Sequence, residues 1–564
     1  MAMLQQHPGM LGTRSEARST RGVVSGGTAH AVRAGLMALE QGGTAIDAVI
    51  AGAFMAFVAE PNNAGIGGYG HLSAFLADDA AFLTVDHGPR APAAARADMF
   101  EVIAGELDGH DWPAVAGDAN YVGALAPAVP GAVAGLWAAH QRAGRLAWDV
   151  LLAPAVELAE TGLEVTWVLQ IEIANRLAEI VAQPDLAQIL LPAHHIPRSR
   201  NADGPGERLN QAALAATLQR IAAEGPNAFY RGEVAAAIAG VLAAGGGILT
   251  ADDLAAYAPR VLSEPPAEYR GLQYVTALDT VGYETLGILN HFELSATPAA
   301  GAENLHLLAE AMGHAFADGA TYASDPDFTE DPVADLGGAS FAAARAAGIR
   351  SDRAAPRPVV PRAPWLAPDE APRPTSAGGV HGTTQVVAAD RDGNLAALIT
   401  TIGADFGSLV AVPGTGIILN NSMINYDPRP GRANSIAPGK MPFFAVPTLV
   451  AARDGQAAFA AAGSGGYPIL AGVINTAVGA IDHGLGVQAA IDLPRVHSQG
   501  NRTFVDSRVG TEVLHRLREL GHDLVVADVT PGELAFSRVS AVAFQDGGMS
   551  AGAGPAWSTA VGAL

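Results

Sequence analysis

The residues with the most chemical promise stand at 381–385, His381-Gly382-Thr383-Thr384-Gln385. A threonine hydroxyl is a weak nucleophile, yet once the peptide bond before it is cut, the free α-amine stands close enough to act as its general base. One residue then supplies both nucleophile and base, and the chemistry is acyl transfer from an amide. Such a site needs the threonine at the start of a buried strand, a flexible segment before it, and backbone N–H donors facing the developing oxyanion. The first two requirements are legible here. Taken alone, Thr383-Thr384 is also an ordinary choice for a β-strand.

The elements that must position this threonine follow from pattern. Residues 354–374 are rich in proline and arginine and sustain neither a helix nor a central strand, so a linker is expected there, running on to 382. After it, β-branched alternation over 383–389, a turn at Asp392-Gly393-Asn394 and a second run over 395–401 predict a β-hairpin. Further strands are expected at 416–419, 447–452 and 457–461, and helices at 469–482 and 487–493. Upstream, small and apolar residues at helical spacing over 28–59, broken at Gln41-Gly42-Gly43, predict two helices, the second buried. A glycine-dense loop over 61–70 then leads into strands at 71–76 and 81–85, and helical segments dominate from 125 to 350.

The 564 residues are 49% apolar and 16% charged, enough for a large core in one domain or two packed lobes. A formal net charge of −23 argues against nucleic-acid binding, which needs clustered Lys and Arg. The chain has no cysteine, which excludes disulfides, thiolate nucleophiles and Cys-ligated metal. Residues 1–23 lack the apolar core of a secretory signal and no membrane span stands out, so a cytoplasmic location is expected.

Several ordered blocks carry a family resemblance: Gln41-Gly42-Gly43-Thr44-Ala45-Ile46-Asp47-Ala48, Gly65-Ile66-Gly67-Gly68, Val129-Pro130-Gly131, Ala228-Phe229-Tyr230-Arg231-Gly232 and Leu249-Thr250-Ala251-Asp252-Asp253-Leu254. His306 to Ala311, Asp325-Pro326-Asp327-Phe328, Thr383-Thr384, Asn420-Asn421 and Gly463-Ser464-Gly465-Gly466 continue the series. With them the chain resembles the gamma-glutamyltransferase family from about residue 22 to about residue 547. The resemblance implies an α+β fold, the four-layer αββα sandwich of N-terminal-nucleophile hydrolases. It also implies self-cleavage between Gly382 and Thr383 into a large helical chain, 1–382, and a small β-rich chain, 383–564, that stay together as one unit. Thr383 matches the nucleophile, Thr401 the threonine whose hydroxyl supports it, and Gly465 and Gly466 the pair whose N–H groups form the oxyanion hole. No cofactor or metal is implied, and whether two processed heterodimers pair is left open.

The acyl pocket departs from the family. Gly88 stands where the carboxylate-binding arginine belongs, with Arg90 two places away. Gly403 replaces an asparagine, Ser422 and Asn425 replace a glutamine and an aspartate, and Phe443-Phe444 replace a serine pair. Charge-assisted hydrogen bonds to a carboxylate are worth about 1.5–3 kcal/mol each, so their loss should exclude a glutamyl head group. The expected pocket is lined by Phe443, Phe444, His87 and Tyr69, with only one of the adjacent phenylalanines meeting substrate. The segment 426–440 is shorter than the lid-bearing stretch of many relatives, which implies a more open pocket and favours hydrolysis over transfer.

Other readings compete. A true gamma-glutamyl enzyme would take its head-group contacts from residues such as Arg90 or Arg432, and a degenerate family member that never matures would serve as an uncleaved scaffold or binding protein, against which the joint presence of Thr383, Thr401, Gly465 and Gly466 argues. His306, Glu310 and His314 share a helix face at a spacing that could gather metal ligands, though a helix-face histidine with ordinary partners is commoner. Asp318, Asp325 and Asp327 do not form a recognised calcium loop, and no nucleotide-binding fingerprint is present.

Overall fold

The computed structural model describes residues 3–5, 15–107, 112–202, 204–277, 279–328, 336–357, 359–361, 382–443, 446–529, 535–554 and 558–564. Of the expected linker, residues 354–357 and 359–361 are described and the rest up to His381 lies outside the described residues, as does Phe444.

Two antiparallel sheets form the centre. In the first, Gly382–Asp390 lies between Gly22–Gly26 and Leu395–Gly403, followed outward by Tyr69–Leu76, Ala81–His87 and Arg260–Leu262, while Ala560–Ala563 flanks Gly22–Gly26. In the second, Gln456–Ser464 lies between Leu449–Arg453 and Arg538–Gln545, with Leu272–Val275 and Ala267–Tyr269 on one side and Gly548–Ala553 and Ala17–Ser19 on the other. Strands from both sides of residue 382 interleave in each sheet.

Side chains alternate across a strand, so each sheet must be covered on both faces if its strands read as continuous apolar runs. Val386, Ala388, Ala396 and Leu398 face the helices Ala29–Glu40 and Ala45–Ala59. Val387, Ala389, Ala397 and Ile399 face the second sheet, meeting Val450, Ala460 and Val542. Beyond the second sheet lie the helices Thr280–Leu289, Ala302–Tyr322 and Pro468–Ile481. The four layers are helix, sheet, sheet, helix, as expected.

Ala45–Ala59 is buried along its whole length, which is why its sequence is apolar all round. Its start is fixed by a capping box between Thr44 and Asp47. The hairpin is fixed at its turn: the Asp390 carboxylate accepts from the N–H groups of Asp392 and Asn394, and also from the N–H of Ala45 at 2.8 Å. The Thr383 strand is thereby locked to the start of the helix behind it. No helix of the described residues is long and apolar enough to cross a membrane.

Candidate active site

Cross-strand register places Thr383 opposite Thr401, and Thr401 opposite Tyr69, so these three side chains share one row on the face between the sheets. One step further in, Gln385, Ile399, His71, Asp86 and Arg260 form the next row. Gln385 donates to Ser540 of the second sheet, which confirms the face.

The Thr383 hydroxyl donates to Thr401 Oγ1 at 3.1 Å. Thr401 Oγ1 donates to the carbonyl oxygen of Gly382 and accepts from the N–H of Gly403 at 2.8 Å. A proton relay thus runs from the candidate nucleophile to the carbonyl it would attack. Gly382 itself is confined: a Cβ added there would lie 2.5 Å from the carbonyl oxygen of Asn62 and 3.1 Å from that of Ala404.

The second sheet closes the site from the other side. Ser464 is paired with Arg538, and the buried Arg538 guanidinium donates to the carbonyl oxygen of Thr383 at 2.7 Å. Gly465 and Gly466, with φ of +123° and +68°, turn the chain from this strand end into the helix Pro468–Ile481, so the expected oxyanion glycines stand at the Thr383 end of the facing sheet. Behind Thr383, Thr384 Oγ1 donates to Glu60 Oε2 at 2.7 Å, and burial raises the Glu60 pKa against the pull of Arg538 and these hydrogen bonds.

Beside this constellation lies a cavity of about 810 Å³, lined by Asp86, Glu264, Asp279, Tyr274, Tyr283 and Phe443 among others. Neither Thr383 nor Thr401 lines it. Asp86 stands three strands across from Thr383, about 14 Å at ordinary strand spacing. The cavity therefore flanks the hydroxyl pair rather than covering it. Burial raises the carboxyls of Glu264 and Asp279 to about 7 each. Burial opposes ionisation of Asp86 too, but His71, the Gly88 N–H and Arg260 outweigh it and hold its pKa down.

Of the residues expected to bind substrate, Phe443 lines the cavity. His87 does not. It is fully buried on the helical side of the first sheet, its ring packed where a Cβ on Gly135 would sit, and Asp86 takes the cavity face instead. Strand alternation explains the correction, since adjacent positions point opposite ways. Tyr69 is buried beside Thr401 and accepts from Asn425 Nδ2 at 3.0 Å. Ser422 donates to Asn420 Oδ1, whose amide also joins the Gly67 and Ala128 carbonyls, so Ser422 belongs to a structural knot. Arg90 donates to the Gly439 carbonyl and stands 3.7 Å from Asp325, a carboxylate already held by Arg260. His306 and Glu310 do gather with a third ligand-type residue, but it is His522, and all three are engaged: His306 with His522 and the Arg350 carbonyl, Glu310 with Arg357, and His522 with Thr503. His314 turns instead to Arg345. Arg538 and Glu60 gave no signal in the sequence, where Glu60 ends an apolar run before Pro61-Asn62-Asn63 and Arg538 stands between Ser537 and Val539.

A four-layer αββα sandwich with a threonine at the head of a central strand defines the N-terminal-nucleophile amidohydrolases, and this protein is one of that class. The gamma-glutamyltranspeptidase family profile matches residues 31–563. The chain belongs to that family. The Acylase ACY 1 proenzyme of Pseudomonas sp. (strain V22) is 35% identical over 549 residues, spanning 96% of this chain and 93% of its own. The glutathione hydrolase proenzyme of Bacillus subtilis (strain 168) is 30% identical over 523 residues, 90% of this chain and 86% of its own. The crystal structure of a cephalosporin acylase from Bacillus halodurans superposes with a TM-score of 0.84 at 27% identity, covering 99% of this chain and 98% of that one.

Proposed function

We propose that the chain cuts itself between Gly382 and Thr383 and then hydrolyses an amide whose acyl portion lacks the α-amino acid head of a gamma-glutamyl group. The observation that carries this reading is the relay from the Thr383 hydroxyl through Thr401 to the Gly382 carbonyl. In maturation, Thr383 Oγ1 adds to the Gly382 carbonyl carbon while Thr401 donates to the oxyanion. The amide nitrogen leaves with the proton given up by the Thr383 hydroxyl, and the C–N bond is exchanged for an ester. Water then cleaves that ester, leaving the Gly382 carboxylate and a Thr383 with free amine and hydroxyl. In turnover the amine takes the hydroxyl proton, Oγ1 attacks the substrate carbonyl, and the N–H groups of Gly465 and Gly466 receive the oxyanion. The leaving amine carries off the proton and water releases the acid.

Three features support the altered acyl group. A Cβ at Gly88 would lie 2.6 Å from Met441 Sδ, and one at Gly403 would lie 2.0 Å from Asn421 Oδ1, so the family's arginine would have to displace the Met441 side chain and its asparagine would collide with Asn421. Arg90 is committed to Asp325 and Gly439. The adjoining cavity is walled by aromatic rings and carboxylates, a poor host for a second carboxylate and a good one for a bulky uncharged or cationic group. The acylase named among the relatives favours the same reading, while the glutathione hydrolases keep gamma-glutamyl chemistry as the second one.

Intact-mass measurement of wild type beside Thr383→Ala tests maturation: wild type should give two chains meeting at 382/383 and the variant one. Turnover by the matured protein of gamma-glutamyl-p-nitroanilide, set against aryl-acyl and alkyl-acyl p-nitroanilides, tests the acyl group. Preference for the glutamyl anilide would overturn the altered pocket while leaving the hydrolase intact.

A further inference from the structure

The buried arginine beside Thr383 is expensive to keep. Arg538 is 1% exposed, sits on the face between the sheets, and has its own pKa lowered by burial, with Glu60, Asp405 and Glu172 opposing that fall. A neutral donor could satisfy the Thr383 carbonyl equally well, so the charge calls for a reason.

That reason lies in the atom next door. Nη2 of Arg538 is 2.7 Å from the Thr383 carbonyl oxygen, and a residue's own nitrogen and oxygen are only about 3 Å apart, which brings the guanidinium to roughly 4–6 Å from the Thr383 nitrogen. At an effective dielectric near 20, a unit charge at that range moves an amine pKa by more than about one unit.

We propose that Arg538 is a positioning residue whose charge keeps the α-amine of matured Thr383 neutral, and so able to accept a proton, at neutral pH. The inference rests on the proposed cleavage before Thr383, since only cleavage creates that amine.

Three carboxyls also stand around the arginine. Glu60 comes from the end of Ala45–Ala59, Glu172 from the helix Trp167–Asn175 with Arg176 just after it, and Asp405 from the loop after Leu395–Gly403. Burial is the foremost influence on each of the three carboxyls and raises all three towards their neutral forms. Glu172 acts on Asp405 as well, pushing the Asp405 carboxyl further towards its neutral form. The strand Tyr69–Leu76 contributes the Tyr69 phenol to this row, and burial holds it protonated. Of these groups, the Arg538 guanidinium is the one hydrogen-bonded to the backbone of Thr383 itself. A positive field disfavours the ammonium and favours the free base.

The composition makes the test clean. The sequence holds a single lysine, Lys440, so the chain from Thr383 onward carries two amines, its own terminus and Lys440. Trace labelling with acetic anhydride across a pH series, read by mass spectrometry of the Thr383-headed peptide, gives the titration of that terminus alone. In wild type it should titrate below the ordinary α-amine range of about 7.7–8.0. Arg538→Met should raise it by about one unit or more, and Arg538→Lys should return it close to wild type. A loss of packing alone would leave this titration in place and would not be rescued by lysine. A cut wild type whose terminus titrates at or above about 8, or a cut Arg538→Met with an unmoved value, overturns the proposal and leaves the processing reading standing. Should Arg538→Met stay uncut, the wild-type value decides alone. A wild-type chain that never cuts overturns both.

Discussion

The Thr383 hydroxyl donates to the Thr401 hydroxyl across 3.1 Å, and Thr401 in turn donates a hydrogen bond to the carbonyl of the residue before Thr383. One side chain thus touches both the oxygen proposed to attack and the oxygen that would then bear negative charge.

Removing that donor should slow maturation by roughly 10²–10³, the usual effect of deleting one oxyanion-hole donor. Thr401→Val keeps the shape and loses the hydroxyl, while Thr401→Ser keeps the hydroxyl. The fraction of cut chain against time, read on denaturing gels, should be far lower for valine than for serine. Equal rates would take Thr401 out of the reaction.

Gly382→Ala tests the confinement of the residue before the proposed cut. Its added carbon would meet the Asn62 and Ala404 carbonyl oxygens at 2.5 and 3.1 Å, so the Gly382 carbonyl must shift away from Thr401. Misplacement of about 1 Å can cost up to roughly 10²-fold in rate. The variant should fold and accumulate as a slowly cutting single chain, which intact-mass measurement over days would follow.

Restoring the family's head-group residues should fail. Gly403 has a φ of +96° and faces Asn421 Oδ1, so Gly403→Asn is both strained and overpacked; Gly88→Arg runs into Met441. Each should cost about 1–3 kcal/mol of stability. Neither should bring turnover of gamma-glutamyl-p-nitroanilide. A gain of that turnover in either variant would show that the pocket adapts more freely than its packing suggests.

These contrasts show what the sequence made legible. The hairpin carrying Thr383 and Thr401 was readable because a strand buried on both faces writes a continuous apolar run between turn residues, and the break at Gln41-Gly42-Gly43 marked the two helices behind it. The edge strands Arg260–Leu262 and Ala267–Tyr269, and Leu272–Val275 beside the latter, were hidden in a stretch dominated by helices, being three or four residues long with mixed exposure. Gly548–Ala553 went unread because Ala, Ser and Gly carry little strand signal, and its partner Arg538–Gln545 went unread with it although Val539, Val542 and Phe544 favour a strand. His87 was misplaced by a single position of strand parity. Arg538 could not have been found: its role is a contact across two sheets with a residue 155 positions away.

Asp279 gives the pH dependence its clearest handle. It caps the helix Thr280–Leu289, accepting from the N–H groups of Val281 and Gly282, yet its burial raises the carboxyl to about 7. In the unfolded chain the same group titrates near 3.9. Below about 4 both states hold the proton and the contribution to stability is full; as pH rises towards 7 the unfolded chain releases its proton while the folded one keeps it, so stability falls. Above about 7 the loss is complete, of order 4 kcal/mol for a shift of about three units. Asparagine at 279 keeps a capping oxygen and has no charge to bury. Thermal unfolding of Asp279→Asn beside wild type should therefore show little difference near pH 4 and an advantage to the variant that grows up to pH 8. Curves that stay parallel from pH 4 to pH 8 would mean that the carboxylate is accommodated without penalty and that the cavity around it is wetter than its walls imply.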